Sequence, residues 1–94
     1  MSLIIKKIKI AMLERQLKEV VGNIDFYSNL LGKWEKQRDA LEPNKNNSFF
    51  EANEYNKIEG QIHFNRNRIA SWCTKKTNII LELKNLGVNV RANL

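Results

Sequence analysis

IAMLERQLKEVVGNIDFYSNLLGKWEKQRDAL, residues 10–41, carries one apolar stripe from end to end. Ile10, Leu13, Leu17, Val20, Ile24, Tyr27, Leu31, Trp34 and Leu41 recur in alternating steps of three and four, with only Arg38 interrupting. Apolar residues repeating about every 3.5 positions mark the seam of packed helices. Beyond a polar break the rhythm resumes as Tyr55, Ile58, Ile62, Ile69, Trp72, Ile79, Leu83, Leu86 and Val90, interrupted by Asn65 and Lys76. Two such stripes joined by a short polar loop predict an all-α fold, a long antiparallel two-helix hairpin that is coiled-coil-like along its seam.

The boundaries of the helices are legible too. Helix 1 is expected over about 4–41, ending where Pro43 pushes Glu42 out of the helical region. Gly22 and Gly32 sit inside it at a cost of about 1 kcal/mol each relative to Ala. The stripe passes Gly22 without losing phase, which favours one helix over two. Pro43 to Asn47 reads as a polar loop over 42–47. Ser48-Phe49-Phe50-Glu51 matches a capping box, so helix 2 is placed at about 48–86. Gly87 suits the left-handed position past a helix, with Val88 touching Leu83, and 87–94 is a short tail. All 94 residues form one domain on this reading.

A hairpin of this kind cannot enclose its own core. Each helix is roughly 55 Å long at about 1.5 Å per residue, and apolar residues off the seam need covering as well. They are Ile5, Ile8, Met12, Val21, Phe26, Leu30, Phe64, Cys73, Ile80 and Leu81. Pairing of two hairpins into a four-helix bundle solves this. A homodimer is therefore expected, or a hairpin completed by a different, larger protein.

Composition narrows the classes of function. Hydrophobic residues make up 43 % and charged residues 28 % of the chain, the balance of an ordered globular protein. No uncharged apolar run approaches the about 20 residues of a membrane span. Lys6, Lys7 and Lys9 break up the apolar start, so it lacks the core of a signal peptide, and a cytoplasmic location is the default. Cys73 is the only cysteine and His63 the only histidine. One of each excludes a structural zinc site within a monomer. No cofactor is expected. Cys73, beside Trp72, reads as a small buried apolar residue rather than a reactive thiol.

Catalytic architecture is also missing. There is no Gly-rich phosphate loop and no nucleophile with a base beside it. His63 lies between Ile62 and Phe64, opposite a stretch offering Tyr27, Ser28 and Asn29, and reads as a surface histidine. Glu35 with Asp39, and Glu51 with Tyr55, are one turn apart, as on any solvated helix face. No enzymatic activity is expected.

Two binding readings are left. Residues 60–81 hold no acid but contain Arg66, Arg68, Lys75 and Lys76 among amides and hydroxyls, and Lys6, Lys7 and Lys9 form a second basic cluster. With a net charge of +6 these are candidate nucleic-acid contacts. Against that, Trp72 falls in the seam, and Glu14, Glu19 and Asp25 are expected to neutralise the stretch across the hairpin. Lys9 is expected to face Glu82. The basic apolar start could also lie on an anionic membrane, although its apolar residues occur nearly all round the helix and a dimer would bury them. The favoured reading is a protein–protein interaction module presenting Phe26, Phe49, Phe50 and Phe64, with nucleic-acid binding as the alternative.

Asn65 and Lys76 occupy seam positions that apolar residues would fill more stably, and polar residues there set register and oligomer state. Replacing both with Ile should raise the melting temperature while loosening the choice of oligomer; a melting temperature that falls refutes the register role.

Overall fold

The computed structural model describes residues 2–90; Met1 and 91–94, the end of the expected tail, lie outside the described residues. The chain is α1 (Leu3–Leu41), a short 3₁₀ turn (Glu42–Asn44) and α2 (Phe49–Asn85). The two helices pack against each other as a hairpin, and α1 runs unbroken past Gly22 and Gly32. Helix 2 is one residue shorter at each end than expected.

Contacts gather into two compact units, Met1–Ile24 with Ser71–Leu94, and Asp25–Ala70. In the first, Leu13, Leu17 and Val20 of α1 meet Ile79 and Leu83 of α2. Leu83 is fully buried. Ile10, Ile24, Trp72, Leu86 and Val90 pack round this cluster, and so do Val21 and Ile80, which the hairpin covers without outside help. In the second unit Ile58 and Ile62 are buried, together with Asn65. Every seam residue named above is buried or half-buried. The phase of the stripe, read at one residue in three or four, is the phase of the packed face.

The helix ends follow local chemistry. The Ile5 amide donates to Ser2 Oγ at 3.3 Å, capping α1 one residue before its first turn. At α2 the Glu51 amide donates to Ser48 Oγ at 3.1 Å. The return contact of a capping box is not made: Glu51 Oε2 is buried without a hydrogen-bond partner. At the other end of α2, the Val88 amide donates to Leu83 O and the Gly87 amide to Lys84 O, both at 2.9 Å. With Gly87 at φ 84°, this is the full Schellman arrangement.

Three expectations are corrected. Glu42 is not expelled from helical geometry; it opens a 3₁₀ turn with Pro43 in the first turn, where the missing Pro N–H leaves no ladder bond unmade. Cys73 is exposed, because it stands about 100° round α2 from seam residue Trp72. Lys9 and Glu82 line one shallow groove but make no ion pair among the described residues.

Gly22 and Gly87 both have open space where a Cβ would sit, so backbone conformation alone decides what alanine does there. Gly22→Ala is expected to stabilise by about 1 kcal/mol through helix propensity. Gly87→Ala is expected to destabilise by about 1 kcal/mol or more, because of its left-handed φ. Thermal melts should move in opposite directions, by roughly 4–8 °C per kcal/mol; shifts of the same sign would contradict the assignment.

Candidate interaction surface

Within Asp25–Ala70, α1 contributes Phe26 and Tyr27, and α2 contributes Phe64 and Arg68. Adjacent residues diverge by about 100°, so Tyr27 turns toward the seam while Phe26 points out and is 61 % exposed. Their rings meet edge to face with centroids 5.2 Å apart. Phe64 and Arg68 are four residues apart and share a face of α2. The Arg68 guanidinium lies 4.9 Å from the Tyr27 ring centre and 5.7 Å from that of Phe64. Arg68 makes no ion pair among the described residues. A cation held over two rings keeps its edges free for a further acceptor, and contacts of this kind contribute about 0.5–1 kcal/mol at exposed sites. Phe64 is 55 % exposed.

Phe50 belongs to the same face of α2. It precedes Phe64 by fourteen positions, about four turns, so the two side chains leave the helix within about 40° of each other. Phe49, 89 % exposed, leaves the helix about 60° from Phe64 on the other side. Of the four phenylalanines singled out in the sequence, Phe26 and Phe64 are joined through Tyr27 and Arg68. Phe49 and Phe50 stand at the start of α2, about 21 Å along the axis from Phe64, and are separate from that cluster. In the sequence Tyr27 falls in the seam and, with Ser28 and Asn29, opposite His63. Its second role needed the pairing offset between helices, which fixes that Tyr27 meets Arg68.

The basic candidates are scattered among different local partners. Arg66 is held by Glu35 at 3.2 Å, Lys75 sits 5.2 Å over the Trp72 ring, and Lys76 is half-buried in the seam. Neutralisation by Glu14, Glu19 and Asp25 is not what the structure shows. None of those three forms an ion pair among the described residues, and the carboxylates used across the hairpin are Glu35 on Arg66 and Glu59 on Arg38. Lys6, Lys7 and Lys9 stand on the first turns of α1, in the other unit, with Lys7 and Lys9 exposed. Asn65 donates from Nδ2 to Gln61 O at 2.8 Å, a bond within its own helix. His63 is exposed.

Two other features were not foreseen. A groove of about 760 Å³ in the first unit is walled by Leu17, Val21, Leu83, Val88 and Val90, with Glu14, Arg15 and Lys18 on its rim. It exists because the Schellman turn folds Val88 back onto Leu83. In the second unit Trp34 Nε1 is buried without a hydrogen-bond partner. Among the described residues no group of three or more His, Cys, Asp or Glu stands close enough to hold a metal ion.

Electrostatics concentrate at the turn beside Phe49 and Phe50. The Tyr55 hydroxyl donates to Glu42 Oε2 at 2.6 Å, and Lys45 Nζ donates to Glu42 Oε1 at 2.8 Å. Lys45 also lies 5.0 Å over the Tyr55 ring. The bonds from Lys45 and then Tyr55 lower the Glu42 carboxyl below its ordinary 4.5. The bond to Glu42 is the main reason the Tyr55 phenol is pushed up from 10.0 to about 12. The phenol must stay protonated to donate, so its contribution is complete below pH 10.0 and is lost as pH rises through about 12. Glu42 contributes above pH 4.5, and that part fades as pH falls through its lowered value.

Comparison of the chain with protein-family models, with curated proteins and with solved structures finds no match. The residues themselves therefore carry the functional argument.

An ultraviolet titration should show tyrosinate absorbance rising near pH 12 in the native chain, and Tyr55→Phe should abolish that late phase. A late phase that survives the substitution would place the perturbed phenol elsewhere.

Proposed function

We propose that this protein is a non-enzymatic interaction module: a helical hairpin that docks on another protein through the Phe26–Tyr27–Arg68–Phe64 surface. The observation that carries this reading is the cluster itself. Two exposed phenylalanine rings flank an arginine already held over a tyrosine. Aromatic residues and Arg are the side chains that dominate binding energy at protein interfaces. Arg68 is restrained before binding, so less rotamer freedom is lost when a partner covers it.

A second hairpin, giving a four-helix homodimer, and a larger cytoplasmic protein are the two partners the reading admits. Nucleic-acid binding is less well supported, because Arg66 is held by Glu35, Lys75 lies over Trp72, Lys76 is half-buried in the seam, and Lys6, Lys7 and Lys9 belong to the other unit from Arg66 and Arg68.

The test compares the native chain with a Phe26→Ser, Phe64→Ser double variant, by sedimentation velocity for self-association and by affinity capture for other partners. Complexes of the native chain should resist high salt, as apolar docking does. The double variant should bind at least about 30-fold more weakly, the measure of a hot spot of about 2 kcal/mol, with a cooperative thermal melt lowered only by the roughly 4–8 °C that losing contacts of about 1 kcal/mol implies. Binding that survives the double substitution, or that collapses with salt as phosphate contacts do, would overturn the proposal.

A further inference from the structure

The first unit has a second apolar face that the hairpin leaves uncovered. Ile10 turns inward onto the Leu13 cluster, but Ile4, Ile5, Ile8 and Met12 are between 55 and 71 % exposed. At about 100° per residue these four fall within an arc of about 100°, on the side of α1 opposite Leu13, Leu17 and Val20. Of the apolar residues at the start of α1, Ile10 belongs to the buried face and Ile4, Ile5, Ile8 and Met12 to the bare one, while Leu3, 67 % exposed, lies outside that arc. Lys7 and Lys9, both exposed, stand on the two edges of the bare face. No acid occurs from Leu3 to Leu13.

Charge decides what fits there. A second copy packed symmetrically about Ile8 would set Lys7 of one chain against Lys9 of the other, with no carboxylate inside the stripe to pair with either. An anionic lipid surface has the opposite sign everywhere. It takes apolar side chains about 5–10 Å into the boundary between headgroups and acyl chains. Lysine stems on the flanks of such a face reach back to the phosphates. Lys7 and Lys9 have that position. No helix among the described residues is long and apolar enough to cross a membrane, so contact by α1 would be in the plane of the surface.

We propose that the Ile4–Met12 segment of α1 binds the surface of anionic membranes reversibly, with Ile4, Ile5, Ile8 and Met12 inserted and Lys7 and Lys9 on the headgroups. This site lies in a different unit from the Phe26–Phe64 surface, and neither reading depends on the other.

Co-sedimentation of the whole chain with vesicles tests it, using phosphatidylcholine alone and phosphatidylcholine with a third replaced by phosphatidylserine, at low and high salt. The native chain should pellet with the anionic vesicles, at least tenfold more tightly than with neutral ones. Lys7→Gln and Lys9→Gln should each weaken partition about fivefold, the effect of one basic residue near such a surface. Ile8→Asp should abolish it, with helical circular dichroism unchanged because Ile8 is exposed. Phe64→Ser should leave it intact, which separates this site from the other surface. No pelleting at low salt, or native-like pelleting of Ile8→Asp, would overturn the proposal. So would a dimer that Ile8→Asp dissolves, which would assign the stripe to a second copy.

Discussion

A helix with one apolar stripe can bury that stripe only against a matching one, and this constraint governs the molecule. Leu13, Leu17 and Val20 close on Ile79 and Leu83, and Ile58 and Ile62 are buried in the other unit. Two helices make a single contact line. Everything on the far side of either helix stays in water, however apolar it is. The exposed isoleucines of α1 and the exposed phenylalanines follow from that geometry, since an isolated pair of helices has no third layer to receive them.

The fold was largely written in the sequence, because periodicity reports which face is buried without reference to any other residue. Ser48 and Gly87 were equally legible: a cap and a left-handed turn are settled within four or five residues. What sequence could not supply was the offset between the helices. Glu14, Glu19 and Asp25 seemed placed to meet the basic stretch, yet Glu35 and Glu59 make the cross-helix pairs. Stripe phase is unchanged when one helix slides along the other by a heptad, whereas every ion pair is lost. Tyr27 meeting Arg68 was hidden for the same reason. Cys73 and Glu42 failed more locally, the first by one position of helix rotation and the second because Pro is compatible with the opening of a 3₁₀ turn.

Function was legible only as an inventory of residues. Four phenylalanines and seven basic residues are a list until geometry sorts them. The sorting was uneven: Phe26 and Phe64 converge through Tyr27 and Arg68, while Arg66 goes to Glu35 and Lys75 to Trp72 and Lys7 and Lys9 are exposed at the start of α1. The two surfaces proposed here use opposite logic. One concentrates aromatic area around a single restrained cation, as a protein partner requires; the other spreads aliphatic area between like charges, as a lipid surface requires.

The turn has a consequence for the order in which the chain comes together. The Tyr55–Glu42 bond closes a loop of 13 residues, whereas Leu13 and Leu83, members of one cluster, are 83 − 13 = 70 positions apart in the sequence. Loop closure costs about 0.6 kcal/mol more for each doubling of length, so contacts near the turn form with the smaller entropic loss and shorten the loop for those beyond. Loop entropy alone therefore favours pairing from Glu42 outward, with the contacts of Leu13, Leu17, Ile79 and Leu83 the most costly to close first.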